Sequence, residues 1–475
     1  MSSTTAARSN SNARKTQEAR SNPPACEAHP RPSRSVTTTP AAATERFGTG
    51  HAFRVVAGRA GDHHAVHRLL VSLLHQPTAA EFQAQVEDPF YEPTDRLLVK
   101  RDEQVVAHAR LTHREMHYGE KLVPISTLSD LVVLPEYRDE PCATELLRAA
   151  ERTMLASGTK LAFHRTQTPD LFLPRGWTIC TRHSYSIAGA REILSTLHEQ
   201  ESCTHDPLAP DVPPISIRIW RHVEEAALTR LYVGQTRNSY GPLVRSDAYW
   251  RWLISRRAYD RIYVAIEGPD KFELDDTLTP IVGYAVMREG QILELVTADQ
   301  RMDVAVQLLA RACGDAIEYD FHYVRLDAAP DHPLHQTIAN SGGRRCHHES
   351  DNGEVIMAKL FDPLAFLQAC FEELHQRAKS AAWDLPCDLG LLIDGEKFCL
   401  SVRKRTVKLV AGKLGRSYLE CGSDDLTQML LGHIDIASAV DAGRLAASTR
   451  VAIDTASVLF PRLPIWHPSF DDMPA

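Results

Sequence analysis

The chain has 475 residues, a length that predicts roughly three domains of about 150 residues each. Its hydrophobic share of 43% and charged share of 24% exclude collagen-like, coiled-coil and wholly disordered proteins. The formal charge is −8, from 53 Lys and Arg against 61 Asp and Glu, which argues against general nucleic-acid binding. No apolar run approaches the roughly 20 residues that cross a membrane, so no membrane contact is expected.

The first 50 residues differ in composition from the rest. They are rich in Ser, Thr, Ala and Pro, and they hold seven basic and three acidic residues. They contain almost no large apolar side chains, so they cannot bury enough surface to offset the loss of chain entropy. Residues 1–50 are therefore expected to be disordered.

The ten cysteines are scattered along the chain and form no C-x-x-C pair. This spacing argues against a disulfide framework and against a metal site. We expect free thiols in a reducing cytoplasm.

Hydrophobic periodicity predicts an α/β fold for residues 51–205. The expected order is strand, helices, three strands, helix, strand, turn, strand. The helix is predicted at 142–156, where apolar residues recur on one face, and the last two strands are predicted at 161–163 and 182–187.

The same order of elements is predicted again after a polar, Pro-containing linker at 199–214. This second domain spans residues 206–362 and ends in a strand at 355–360. Residues 363–475 have a different pattern, which predicts an amphipathic helix, three short strands at hairpin spacing and three short helices.

The segment 126–147 carries the clearest chemical signal. A strand runs to Leu134, Pro135 ends it, and a helix follows after a short turn. A helix start presents free backbone N–H groups and the positive end of the helix dipole, and both attract a phosphate.

The pattern V-x-P-x-Y-R at 133–138, with the helix that follows it, resembles the acetyl-CoA motif of the GNAT N-acetyltransferases. The pattern F-x-x-x-G-W at 172–177 is similar to a second signature of that family. The chain as a whole resembles the Eis-like branch, which has two tandem GNAT domains with mixed central sheets. A small sterol-carrier-protein-like α+β domain follows them, matched here at 426–432, 442–444 and 459–470.

The resemblance implies that acetyl-CoA, as co-substrate, lies where the fourth and fifth strands of the first domain separate. Backbone groups at the end of the fourth strand would hold the acetyl and pantetheine part, and the following turn would hold the pyrophosphate. The implied cofactor-binding residues are Leu131, Val132, Val133, Arg138, Asp139, Glu140, Cys142, Ala143, Thr144, Gln167 and Thr168.

Two positions depart from the family pattern. Pro141 stands where the family has Gly and removes one N–H donor. Phe172, which has no hydroxyl, stands where the family has the tyrosine that serves as the acid. The carboxylates of Asp139 and Glu140 would repel a pyrophosphate. In the second domain the corresponding loop, 299–303, has no glycine, so that domain is expected to be a scaffold.

The general base is left open between four groups. Eis-like enzymes use the terminal carboxylate on an aromatic residue, but here five residues follow the matching Phe470. Asp471, Asp472 or the terminal carboxylate of Ala475 are the substitutes. Asp130 on the fourth strand is either a base for the amine or a strand-edge aspartate with a local hydrogen bond.

The predicted function is transfer of an acetyl group from acetyl-CoA to a primary amine, on a small molecule or a lysine side chain. One alternative is a catalytically degenerate acyl-CoA- or lipid-binding protein, which Phe172 and Pro141 favour. Another is a tandem-GNAT transferase of the mycothiol-synthase or Fem type, although these lack a third domain. A homo-oligomer is expected by analogy with the family.

Overall fold

The structure is a computed structural model, and it describes residues 54–74, 77–181, 185–204, 214–268, 281–346 and 355–472. The predicted disordered segment 1–50, most of the predicted linker and Ala475 lie outside the described residues.

Residues 54–181 form six strands and three α-helices within the described ranges. These are β1 (Arg54–Ala57), α1 (His63–Leu73), α2 (Ala79–Val86), β2 (Arg96–Arg101), β3 (Gln104–Tyr118), β4 (Lys121–Val133), α3 (Cys142–Ala156), β5 (Leu161–Thr166) and β6 (Thr178–Thr181).

Residues 185–346 also alternate between strands and α-helices. Their elements are β7 (Tyr185–Gly189), α4 (Ala190–Thr204), β8 (Ile215–Ile219), α5 (Glu225–Thr236), β9 (Tyr240–Leu243), α6 (Asp247–Ser255), β10 (Arg261–Glu267), β11 (Ile281–Arg288), β12 (Gln291–Thr297), α7 (Met302–Glu318), β13 (Tyr323–Leu326), α8 (Leu334–Asn340) and β14 (Arg344–Cys346).

The remaining described residues end in a tail without α-helix or strand, residues 460–472. Before it come β15 (Val355–Leu360), α9 (Pro363–Ala369), α10 (Phe371–Ser380), β16 (Cys387–Ile393), β17 (Glu396–Val402), β18 (Val407–Ala411), β19 (Tyr418–Cys421), α11 (Ser423–Leu430), α12 (Ile436–Asp441), β20 (Ala446–Ala447) and α13 (Arg450–Leu459).

The first sheet has the order β1-β2-β3-β4-β5-β15-β6, and β9 pairs with β3. Its neighbours are antiparallel except β4 and β5, which run parallel because α3 crosses between them. Helix α3 begins and ends where the sequence predicted, and it buries Leu146, Leu147, Ala150 and Met154 in the core beneath the sheet. This packing fixes the start of α3 next to the end of β4.

The second sheet, β14-β7-β13-β12-β11-β10-β8, repeats this unit. Strands β12 and β13 are its parallel pair, joined by α7, and their ladder covers only Gln291–Ile292 and Arg325–Leu326. The third sheet, β18-β17-β16-β19-β20, forms one core with helices α9 to α13. The predicted mixed α/β fold is thus confirmed.

Two strands lie in sheets other than those that the element order suggests. Strand β7 pairs with β13 and β14 of the second sheet, and β15 pairs with β5 and β6 of the first. Periodicity predicts that a segment is a strand but not which edge it joins. Strand β7 lies before residue 205 and β15 after it, so each of the two strands pairs across that predicted boundary.

Two local expectations were wrong. The linker predicted from Glu199 is still helix α4 up to Thr204. The single amphipathic helix predicted at the start of residues 363–475 is two helices, α9 and α10, that meet at Cys370. No helix among the described residues is long and apolar enough to span a membrane.

Candidate active site

A cavity of about 930 Å³ opens where β4 and β5 separate. The parallel ladder between the two strands ends at Leu128 and His164. Beyond it, residues 129–133 of β4 form one wall and residues 165–168 form the facing wall. Residues of β3, α1, α2, α6 and the C-terminal tail also line it.

A β-bulge in β4 bends the strand at the mouth of this cavity. On β3, one residue separates His108 from Arg110. Their partners on β4, Val132 and Ser129, are separated by two residues, so β4 carries one extra residue. Asp130 in this bulge has a φ of +50°, a conformation that most residues avoid.

Two side chains from β3 hold the bulge. His108 Nδ1 donates to the carbonyl oxygen of Asp130 at 3.0 Å, and Arg110 Nε donates to its carboxylate at 3.1 Å. Burial, together with the charge of Arg96, lowers the pKa of His108 to about 3, so its ring is neutral. The Asp130 carboxylate is therefore engaged with Arg110 and shapes the strand.

The free edge of β4 faces the cavity. The N–H of Leu134 donates to the carbonyl of Val106 on β3 at 2.9 Å. Because successive N–H groups along a strand alternate between its two edges, the N–H of Val133 is directed to the opposite edge. Leu131, Val132 and Val133 all line the cavity, so the three predicted β4 residues come together there.

The turn between β4 and α3 starts with a 3₁₀ turn at Pro135–Tyr137 and ends at Pro141, the N-cap of α3. The Pro141 carbonyl accepts from the N–H of Glu145 at 2.9 Å, so the helix starts normally despite the proline. The first-turn N–H groups of residues 142–144 have no partner within the helix.

The predicted phosphate-side residues differ in their placement. Arg138 and Asp139 are both exposed, but only Arg138 lines the cavity. Glu140, Ala143 and Thr144 also lie outside the lining. The Cys142 side chain packs into the core, and burial, with the charge of Glu140, raises the pKa of its thiol. Among residues 139–144, only the backbone of 142–144 is therefore suited to an anion, next to the Arg138 side chain in the lining.

The β5 wall carries Gln167 and Thr168, two of the predicted cofactor-binding residues. It also carries His164, which was not predicted from the sequence. His164 Nδ1 donates to the Leu128 carbonyl at 2.8 Å, and burial lowers its pKa to about 4. The Phe172 ring lies against it, with ring centroids 4.3 Å apart.

The tail is anchored in the second sheet by a buried ion cluster. Arg245 contacts Asp471 at 2.9 Å and Glu294 of β12 at 2.5 Å, and all three side chains have no exposed area. Ser469 donates to Asp327, just after β13, at 2.8 Å. The tail thus lies where β12 and β13 separate, which corresponds to the opening between β4 and β5 in the first sheet.

The end of the tail turns toward the first sheet. Asp472 accepts a hydrogen bond from Arg165 of β5 at 3.1 Å, and the Nε2 atom of His467 lies 3.3 Å from its other carboxylate oxygen. Both Asp472 and His467 line the cavity. Of the three predicted tail residues, Asp471 and Asp472 therefore reach the cavity and Ala475 lies outside the described residues.

Three functional positions were missed from the sequence, namely His164, His467 and Arg245. His164 directly follows the strand predicted at 161–163, and this position at the strand end is the signal that could have indicated it. His467 and Arg245 carry no sequence signal, because their placement depends on the path of the tail. No cluster of three or more His, Cys, Asp or Glu suited to a metal was found within the described ranges.

The comparisons with known proteins agree with this architecture. Residues 55–180 match the family model described as "Acetyltransferase (GNAT) domain", which confirms the predicted resemblance for that part. No curated protein matches the chain in sequence.

Solved structures share the fold over most of the chain. A GCN5-related N-acetyltransferase from Kribbella flavida is similar with a TM-score of 0.63 and 18% identity, over 89% of this chain and 99% of that one. One from Anabaena variabilis has a TM-score of 0.64 and 14% identity, over 87% and 99%. Eis1 from Mycobacterium abscessus has a TM-score of 0.58 and 16% identity, over 88% and 99%.

Proposed function

We propose that the protein is an N-acetyltransferase that binds acetyl-CoA between β4 and β5 and transfers the acetyl group to a primary amine. The observation that carries this proposal is the open end of the β4–β5 ladder, followed directly by the start of α3. It lies within the residues that match the GNAT domain model.

The acetyl and pantetheine part fits the two strand walls. The Val133 N–H, directed away from β3, is a donor for the thioester carbonyl or a pantetheine amide. Gln167 and Thr168 lie on the facing wall, where they are placed to flank the pantetheine chain. Together the walls supply hydrogen bonds to a ligand that is held as an added strand.

The pyrophosphate fits the turn and the start of α3. The first-turn N–H groups of residues 142–144 and the positive end of the helix dipole favour an anion, and Arg138 adds a full charge. The exposed Asp139 points its charge into solvent, where screening weakens its repulsion. Pro141 removes one donor without disturbing the helix start.

The cavity favours an acceptor with one amine on an apolar body over a polycation. All five acidic side chains in its lining are already paired with an arginine, so none is left to hold additional ammonium groups. The pairs are Asp88 with Arg114, Asp130 with Arg110, Asp327 with Arg325, Asp471 with Arg245, and Asp472 with Arg165.

The same lining offers aromatic surface. Four large aromatic side chains besides Phe172 line the cavity, and they suit an aryl or alkyl group by burial of apolar area. These are Phe163, Tyr249, Trp252 and Trp466. A small aromatic or alkyl amine therefore fits the cavity better than a polyamine or an aminoglycoside.

The test is thiol release from acetyl-CoA across a panel that contains arylalkylamines, a lysine peptide, spermine and an aminoglycoside. We expect amine-dependent release, with the highest kcat/KM for the arylalkylamines. Preference for spermine would contradict the acceptor argument, and release from no amine would contradict the transferase itself.

The alternative is a binding protein without turnover, which the missing hydroxyl at Phe172 favours. It predicts thermal stabilisation by acetyl-CoA, worth about 2.7 kcal/mol at 100-fold excess over Kd, without thiol release from any amine. Acetyl-CoA titration and the amine panel, run on the same preparation, therefore separate the two functions.

A further inference from the structure

His467 and Asp472 form a pair at the edge of the cavity that no sequence motif indicated. His467 Nε2 lies 3.3 Å from the Asp472 carboxylate, and Asp472 in turn accepts from Arg165 at 3.1 Å. Arg165 follows His164, the last β5 residue in the ladder with β4, so the pair lies next to the point where the strands separate.

The pair fixes which ring nitrogen of His467 carries a proton. A carboxylate only accepts, so Nε2 must donate to Asp472, and the lone pair of the neutral ring is then on Nδ1. The described residues make no hydrogen bond to Nδ1, and the His467 side chain is 38% exposed. An unengaged acceptor at a cavity wall is available to a substrate proton.

We propose that His467 is the general base of the transfer, and that Asp472 is the positioning residue that orients it. This rests on the proposed function and assigns within it the role that the sequence left open between Asp130, Asp471, Asp472 and Ala475.

The rival groups are less suited to the role. Asp471 is buried and its carboxylate is paired with Arg245, and the Asp130 carboxylate is paired with Arg110. Burial lowers the pKa of His164 to about 4, which makes it a weak base for an ammonium group. His467 is the ring in this cavity that combines exposure with a carboxylate partner.

The charges around His467 act in the direction that a base needs. Desolvation by the surrounding protein would lower its pKa, but the hydrogen bond and charge of Asp472, with the charge of Asp471, raise the pKa above its ordinary value. Arg165 opposes this from β5. The net result is a pKa above the ordinary value, which makes the ring a stronger acceptor for the proton of the amine.

The step is balanced without any further reagent. The amine nitrogen forms a bond to the thioester carbonyl carbon, and the carbon–sulfur bond breaks. The proton of the amine nitrogen passes to Nδ1 of His467, and the electron pair of the broken bond leaves on the CoA thiolate. The thiolate then takes a proton from solvent, and His467 returns its proton to solvent.

The experiment compares His467→Gln, Asp472→Asn and, as a matched control, His322→Gln, an exposed histidine that does not line the cavity. Each variant of the full chain is measured for acetyl-CoA affinity and for kcat/KM against pH with the best amine of the panel. A general base contributes about 10²–10⁴-fold to rate, so we expect His467→Gln to lose at least about 100-fold in kcat. Acetyl-CoA affinity should be unchanged.

The pH profile distinguishes a base from a merely structural residue. Asp472→Asn removes the charge that favours the imidazolium, so the pKa of His467 falls and the acid limb of kcat/KM moves to lower pH. His467→Gln should abolish that limb, and His322→Gln should keep the wild-type profile. The Asp472→Asn shift tests the inference even where His467→Gln folds poorly.

Failure of this inference and failure of the proposed function give different results. If the wild type transfers acetyl groups and His467→Gln does so at the wild-type rate with an unchanged acid limb, His467 is not the base. If the wild type binds acetyl-CoA and acetylates no amine in the panel, the proposed function itself is wrong.

Discussion

The anchor of the C-terminal tail gives a prediction whose size follows from the structure. Arg245 makes four contacts of 2.5–3.0 Å with the carboxylates of Asp471 and Glu294, and all three side chains are fully buried. Replacing Arg245 by Met, of similar volume, leaves two carboxylates buried without a cation.

Removing one partner of a buried ion pair costs about 3–5 kcal/mol, because the other charge is left uncompensated. Arg245→Met should reach the upper part of this range, since it strands two carboxylates. Asp471→Asn leaves Arg245 paired with Glu294 and loses one charge-assisted hydrogen bond, so we expect about 1–3 kcal/mol.

The assay is urea unfolding followed by tryptophan fluorescence, with hydrogen exchange of the tail peptides as the local measurement. The matched control is Arg450→Met, which breaks an exposed pair with Asp454 on α13 and should cost less than about 0.5 kcal/mol. We expect faster exchange at 466–472 in Arg245→Met, with loss of turnover because His467 leaves the cavity. A variant no less stable than Arg450→Met, with an unchanged tail, would refute the reasoning.

Three further predictions concern single positions. Gly241→Ala should free the tail and lower thermal stability, because Gly241 has a φ of +108° and a Cβ there would lie 2.2 Å from the Trp466 carbonyl oxygen. Gly234→Ala is the control, in open space on α5, and should be neutral or stabilising. Equal effects of the two substitutions on thermal stability would contradict this path of the tail. Phe172→Tyr should raise kcat by about tenfold by supplying an acid for the thiolate, and a lower kcat with unchanged folding would show that the hydroxyl has no place there. His108 has a pKa of about 3 in the folded chain against 6.5 ordinarily, so its contribution to stability is present above about pH 6.5 and is lost as the pH falls toward 3, at up to about 1.4 kcal/mol per pH unit. His108→Gln should flatten the dependence of unfolding free energy on pH in this interval, and an unchanged slope would show that His108 does not titrate on unfolding.

The sequence predicted those parts of the site that depend on local pattern. Helix α3 is predicted to the residue because its apolar spacing is regular, and the end of β4 is marked by Pro135. The motif at 133–138 then predicted the strand end at which acetyl-CoA would bind. Periodicity and turn residues are local properties, so they are readable without tertiary information.

The parts that were missed depend on contacts between distant segments. The exchange of β7 and β15 between the two sheets is decided by which sheet edges meet, and no pattern in the strands themselves reports it. His467 is one of 22 histidines, and its relation to Arg165 exists only because Asp471 is fixed by Arg245. The role of the tail therefore required the structure.

The central claim is that a CoA pyrophosphate binds at the start of α3. Thr144→Asp places one negative charge in the first turn of that helix, where it should stabilise the helix itself, so weaker binding would not reflect unfolding. Ala156→Asp adds the same charge about 18 Å away at the other end, beyond the roughly 8 Å screening length at physiological salt.

The most direct measurement is the Kd of acetyl-CoA for the wild type and these two variants by calorimetry at physiological salt. A charge about 5 Å from a diphosphate costs at least about 1.4 kcal/mol, so we expect at least tenfold weaker binding by Thr144→Asp and wild-type binding by Ala156→Asp. Equal affinity for all three proteins, or no binding by the wild type, would contradict the placement of acetyl-CoA between β4 and β5.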